Sequence, residues 1–227
     1  MKHSVQEYLD TPADKTLFGV ERHIQRFKGA LFLLGIVLPL ILFFVLVDNI
    51  NNISFLTAER AFLWSLRTYA EPMIGEIADE VSTLVTVISI CILAYLMYLR
   101  MWRVAFFWLV AIGGAAILGS LIKTVIQRTR PDLWLAVFPH TSFGFPSGHA
   151  TQSMAIALAS VILLRGKNWA PMAVAAGVGF VLLVGASRMY LGYHYPTDIL
   201  AGWMLSFAWV TAVAMLFNAR YLTIKAR

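Results

Sequence analysis

The sequence predicts an all-α polytopic membrane protein, with six transmembrane helices accompanied by an N-terminal helix and an outer interfacial helix. Three observations carry that expectation. Hydrophobic residues make up 59% of the 227 positions and charged residues only 13%, far from the roughly one-quarter charged content of a soluble domain. Six stretches carry little or no charge: 30–47, 81–99, 104–122, 150–164, 169–187 and 199–217. Five of these are 18 or 19 residues long, close to the ~20 that cross the hydrocarbon as a helix. Finally, the polar patterns fall where the hydrophobic stretches end.

Each element follows from its local pattern. In residues 1–28, a cytoplasmic N-terminal segment, Leu17, Val20, Ile24 and Phe27 recur at helical spacing among basic residues. That suits an amphipathic helix lying on an anionic leaflet, or a plain extension of the first span. The first span ends at Asp48-Asn49-Ile50-Asn51-Asn52 without a small-residue cleavage site, so it is expected to be retained. Residues 54–79 are too charged to cross, yet Phe55, Phe62, Leu66 and Tyr69 repeat at helical spacing around Trp64. An outer interfacial helix is expected there, as a rim for a lipid or simply packed on the bundle.

The fourth stretch is short unless it extends back through Pro146-Ser147-Gly148-His149. Gly113, Gly114, Gly119, Gly177 and Gly179 suggest close helix approach, and Pro39 and Pro171 suggest bent or starting helices. Residues 29–227 are read as one six-helix domain with no internal repeat, its polar motifs confined to 123–198. Cys91, the only cysteine, excludes an intramolecular disulfide and is expected to be a small buried apolar residue.

A net charge of +6 raises nucleic acid as a partner, but its distribution excludes that. With the N-terminus inside, the inner segments hold 12 of the 18 Lys and Arg residues, and four of the six outer ones fall in or beside the polar motifs. By the positive-inside rule both termini are cytoplasmic and the motifs face outward.

The motifs are Lys123-x6-Arg130-Pro131, Pro146-Ser147-Gly148-His149 and Ser187-Arg188-x5-His194-x3-Asp198. If the third helix continues past Lys123, seven residues rotate by about 700°, some 20° short of two turns, and align Lys123 with Arg130. Alone, these two could be cations snorkelling to the interface. Ser147 and Gly148 resemble a helix opening whose backbone N–H groups seat an anion, or merely a helix cap. A helical turn from His194 to Asp198 would put the carboxylate beside the imidazole and fix its tautomer; Asp198 could equally cap the sixth helix. Spans three to six bring every motif to one side, so three cations, two histidines and a carboxylate converge. That set suits phosphoryl transfer at a membrane surface, where positioning and electrostatics dominate.

At these residues the chain resembles the type 2 phosphatidic acid phosphatase superfamily, whose membrane members carry KxxxxxxRP, PSGH and SRxxxxxHxxxD. The resemblance covers about residues 104–217. It implies a six-helix bundle, His194 as the nucleophile that forms a phosphohistidine, Asp198 as its orienting carboxylate and His149 as the acid for the leaving group. It further implies that Lys123, Arg130, Ser147, Gly148 and Arg188 bind the phosphate oxygens, and that no metal or other cofactor is required. Arg128, Asp132 and His140 match no motif position and are read as serving turns and solvation. Tyr190, Tyr193 and Tyr195 are read as interface anchors.

The expected protein is a multi-pass phosphatase of a bacterial inner membrane, acting at the periplasmic or extracellular face. Its partners are membrane lipids and a lipid phosphate or diphosphate, with undecaprenyl diphosphate leading and phosphatidylglycerophosphate or phosphatidate behind. A lipid phosphotransferase and a non-catalytic lipid-binding or flipping protein are the other readings.

Overall fold

A computed structural model describes residues 28–68, 71–131, 133 and 142–218. The N-terminal amphipathic segment up to Phe27, Tyr69, Asp132 and His140 lie outside the described residues. Seven helices run through the described chain: α1 (Lys28–Asn49), α2 (Ile53–Thr68), α3 (Pro72–Tyr98), α4 (Trp102–Ile126), α5 (Gly148–Leu164), α6 (Ala170–Tyr190) and α7 (Pro196–Leu216). Five of them, α1, α3, α4, α6 and α7, are long and apolar enough to cross a bilayer. Helix α5 is 17 residues long and extends back only to Gly148, so most of the motif before it lies outside the helix.

Local chemistry sets the helix limits. Within α1, Leu33–Val37 forms a π turn closed by Leu38 N–H on the Leu33 carbonyl, just before Pro39, which has no N–H to continue the α ladder. Helices α3, α6 and α7 each carry proline in their first two positions, where a missing N–H leaves no intrahelical bond unmade. Helix α4 stops when Gln127 turns left-handed at φ 52° and its N–H closes on the Lys123 carbonyl.

Two boundaries differ from the sequence expectation. The interfacial helix α2 ends at Thr68, and residues 72–79 belong to α3 instead, because Pro72 starts a new helix that tolerates Glu76, Asp79 and Glu80 in its opening turns. Along α2, Phe55 and Phe62 are exposed whereas Glu59 and Leu63 are buried, so the helix lies with an apolar face turned away from the bundle. Cys91 is exposed on α3, a small thiol on the face away from the core, not the buried residue expected.

The bundle centres on α5, which packs mainly on α6 and α7, while α7 also receives α1 and α4. Small residues allow these approaches. Trp209 of α7 lies where a Gly114 side chain would start, and its Nε1 donates to the Val110 carbonyl at 3.1 Å. Gly177 faces Ala157, and a Gly185 Cβ would stand 2.7 Å from Trp203. Gly119 approaches Thr151, but Gly113 and Gly179 face open space and do not pack as the sequence suggested. Trp108 and Phe107 fill the layer between α4 and its neighbours.

Candidate active site

The three motifs meet at one end of the bundle, joined first by backbone. The Ser147 N–H donates to the Asp198 carbonyl at 3.0 Å, which fastens the start of α5 to the start of α7. A Cβ on Gly202 would lie 2.9 Å from the Ser147 carbonyl and 2.8 Å from Thr151 Oγ1, so glycine there allows α7 to touch the first turn of α5.

Ser147 caps α5, its hydroxyl accepting from Ala150 N–H at 3.5 Å. Its own N–H is spent on Asp198, so the anion seat expected at Ser147 and Gly148 narrows to the N–H groups of Gly148 and His149, which have no intrahelical acceptor. The space beside Gly148 is open, as the approach of an oxyanion to backbone requires. His149, half-buried in the first turn of α5, lies in the electrostatic field of Arg188, His194, Lys123 and Arg130.

His194 and Asp198 do not share a helical turn. Helix α7 starts at Pro196, and the two meet because Asp198 folds back to cap it: its Oδ2 accepts from the Tyr195 N–H at 2.9 Å. The same oxygen lies 3.5 Å from His194 Nδ1. That is long for a hydrogen bond, and Nδ1 has no formed hydrogen bond; such contacts often tighten only when substrate binds. Capping and facing the imidazole are thus both performed by Asp198.

The opposite ring nitrogen, Nε2, lies 3.2 Å from Arg130 Nη1. A guanidinium has donors only, so Nε2 is the acceptor and the ring proton resides on Nδ1, toward Asp198. Burial pushes the His194 imidazole down to about 4; Asp198 opposes this, while Arg130 and Lys123 add to it. The ring is therefore neutral at pH 7 and holds a lone pair on Nε2. Burial also lowers Arg130 from its ordinary value, and the group stays cationic.

Arg130 is not aligned with Lys123 on a helix, because α4 ends at Ile126. It leaves the irregular segment after α4 instead, donating to the Ser142 carbonyl at 2.9 Å, the Ser142 hydroxyl at 3.0 Å and the Tyr193 carbonyl at 2.9 Å. Lys123, in the last turn of α4, has Arg130 and Asp198 as charged neighbours. Arg188 is buried near the end of α6, donating to the Ala78 carbonyl and standing 3.9 Å from the exposed Asp79. The Tyr193 ring lies 5.4 Å from its guanidinium carbon.

Two sequence readings need correction. Arg128 serves neither a turn nor solvation: it is buried, donating to Asp198 Oδ1 at 2.6 Å and to Glu59 Oε2 at 2.8 Å. Tyr195 is no interface anchor, since it is buried with the Arg128 guanidinium 4.3 Å over its ring. Tyr190 binds the backbone of Glu71 ahead of α3. Glu59 was missed altogether. Its signal was a carboxylate one turn before Leu63 on a helix that must pack somewhere, a position where burial demands a cationic partner.

The arrangement can present a neutral imidazole nitrogen to an electrophile, with cations around it and a second histidine nearby. Among the described residues, no three or more His, Cys, Asp and Glu side chains group closely enough to hold a metal ion.

Comparison with known proteins adds independent findings. The model of the PAP2 superfamily matches residues 104–222. Phosphatidylglycerophosphatase B of Bacillus subtilis is 29% identical over 175 residues, covering 72% of this chain and 85% of that protein. An undecaprenyl-diphosphatase of Sulfolobus acidocaldarius is 31% identical over 107 residues, 44% of this chain and 48% of that one. The chain superposes on the crystal structure of a transmembrane PAP2-type phosphatidylglycerolphosphate phosphatase from Bacillus subtilis with a TM-score of 0.72 and 23% identity, covering 82% of this chain and 96% of that chain. This last likeness speaks to fold.

Proposed function

The chain belongs to the PAP2 superfamily, and from that premise we propose that it is an integral membrane hydrolase of a lipid phosphate or diphosphate, acting through a phosphohistidine on His194. The observation that carries the reading is the neutral His194 held between two charges, with Nε2 toward Arg130 at 3.2 Å and Nδ1 toward Asp198 at 3.5 Å. A plain lipid-binding protein needs cations for the phosphate. It does not need a buried imidazole poised in one tautomer.

In the proposed reaction the phosphate enters among Lys123, Arg130, Arg188 and the N–H groups opening α5. Arg130 leaves Nε2 for a phosphoryl oxygen, freeing the lone pair. Nε2 then attacks phosphorus in line, the bond from phosphorus to the leaving oxygen breaks, and His149 supplies the proton that this oxygen takes. Asp198 stabilises the positive charge that develops on the ring. In the second half, His149 accepts a proton from water, the water oxygen bonds phosphorus, and the bond to Nε2 breaks to release inorganic phosphate. The cations neutralise the charge of the transition state throughout, which is why the reaction is proposed to need no metal.

Undecaprenyl diphosphate is the proposed substrate. Phosphatidylglycerophosphate is the second reading, favoured by the alignment along 85% of a phosphatidylglycerophosphatase. The active site is proposed to face outward, with cytoplasmic termini, from the Lys and Arg asymmetry of the loops. Purified protein should release phosphate from undecaprenyl diphosphate, phosphatidylglycerophosphate, phosphatidate or diacylglycerol diphosphate with chelator present, and the ratio of kcat/KM values names the substrate. No release from any of the four would refute the reading.

A further inference from the structure

We propose that Arg128 and Glu59 are positioning residues for phosphoryl transfer, holding the Asp198 carboxylate so that one oxygen is committed to the protein and the other faces His194. The proposal rests on the phosphatase reading above and extends the site to α2, outside the residues matched by the family model.

Arg128 stands two residues before Arg130 on the irregular segment after α4, yet the two side chains reach different partners. Arg130 reaches His194 and Ser142, whereas Arg128 turns inward and is only 6% exposed. Its Nη1 donates to Asp198 Oδ1 at 2.6 Å and to Thr197 Oγ1 at 2.7 Å. Its Nη2 donates to Glu59 Oε2 at 2.8 Å and to the Ile50 carbonyl at 3.4 Å.

Glu59, also 6% exposed, completes the frame. Its Oε1 accepts from the Thr197 N–H and from the Thr197 hydroxyl, both at 2.7 Å. One carboxylate on α2 therefore fixes the residue next to Asp198 and the cation that grips Asp198. Rotating the Asp198 carboxylate away from His194 would break a charge-assisted bond at Oδ1 as well as the Tyr195 bond at Oδ2. Only the forked, permanently charged guanidinium spans both carboxylates at these distances; a lysine has one nitrogen to offer. None of these atoms is a phosphate ligand, so their loss should disturb the aim of His194 and leave the binding of phosphate intact.

The test compares Arg128→Gln, Arg128→Lys and Glu59→Gln in the full-length protein in nanodiscs. It reads kcat and KM on whichever lipid the wild type turns over, together with the inhibition constant of inorganic phosphate. For Arg128→Gln, kcat should fall roughly 10- to 100-fold while KM and phosphate inhibition stay within about threefold, the pattern of a group acting only in the transition state. Arg128→Lys should recover part of that loss, and Glu59→Gln should lose about three- to tenfold in kcat alone. Unchanged kcat in folded Arg128→Gln overturns the proposal, as does a parallel loss of phosphate inhibition, which would make Arg128 a substrate ligand. Should Arg128→Gln fail to fold, the milder Glu59→Gln decides, and wild-type kcat there overturns it equally. A wild type that turns over no lipid phosphate would instead sink the phosphatase reading.

Discussion

Arg130 Nη1 lies 3.2 Å from His194 Nε2, so the nitrogen facing the site's cations is the one carrying the lone pair. Because burial pushes His194 down to about 4, the ring stays neutral well below the ordinary imidazole value near 6.5. The acidic limb of the kcat/KM profile should therefore lie below pH 6.5, toward 4. The same shift sets a sign for stability. In the unfolded chain the ring takes up a proton below about 6.5, whereas the folded ring resists until about 4, so stability falls as pH drops through that window. A kcat/KM profile with its acidic limb above 6.5 would contradict the assignment of His194 as the nucleophile.

The two histidines should separate by leaving group. His194→Ala should cost about a thousandfold or more in turnover and remove any acid-labile phosphoprotein. His149→Ala should cripple hydrolysis of a lipid with a poor alkoxide leaving group yet retain more activity on an activated aryl phosphate that needs little protonation. Phosphohistidine trapped on the His194→Ala protein, or equal losses of His149→Ala on both substrates, would show these roles to be misassigned.

Gly202→Ala should act through packing. The new methyl would stand 2.8 Å from Thr151 Oγ1, 2.9 Å from the Ser147 carbonyl and 3.0 Å from the Thr151 nitrogen, and backbone cannot swing aside as a side chain can. Overpacking of this kind costs about 1–3 kcal/mol. A lowered Tm with a disproportionate loss of kcat is expected, since the displaced turn carries Gly148 and His149. Wild-type values of both would argue against a tight seat.

Asp79→Asn should do little to stability, since the pair with Arg188 spans 3.9 Å and Asp79 is 66% exposed, conditions in which ion pairs contribute about 0–1 kcal/mol. Its removal frees Arg188 from a competing anion, so inorganic phosphate should inhibit slightly more strongly, by about twofold. Weaker phosphate inhibition would mean that Asp79 supports the site.

Orientation is open to labelling in a Cys91→Ser background. Asn51 lies in the turn after α1, near the motif end, and Asn168 in the turn between α5 and α6 at the opposite end; both are exposed. An impermeant thiol reagent should modify Asn51→Cys from outside intact cells and Asn168→Cys only after permeabilisation. The reverse pattern would move the active site to the cytoplasm.

The hydrophobic spans and the motif residues were legible because bilayer thickness and phosphate chemistry each restrict the residues allowed. What escaped was geometry made by the chain between them. The helical alignment of Lys123 with Arg130 assumed that α4 continues, whereas Gln127 adopts a left-handed conformation that ends it. Pro72 could have marked the start of α3, but Glu76, Asp79 and Glu80 hid the span behind charge. Arg128 was set aside for matching no motif, and its two carboxylate partners, Glu59 and Asp198, are both distant in sequence. Glu59 lies 69 residues from Arg128, and no local pattern reports a partner so distant in sequence.

The pairing of Glu59 with Arg128 and Thr197 also bears on biogenesis. A ribosome delivers these residues in three instalments, and Asp198 arrives with the last helix, so the carboxylate on α2 and the arginine after α4 enter the membrane before the element that completes them. Until α7 is inserted, neither Ser147 nor Arg128 has its Asp198 partner. A nascent or truncated chain ending before Pro196 would hold Glu59 and Arg128 without Thr197 and Asp198, their partners on α7. The polar frame around His194 is therefore completed only when the last helix is in place.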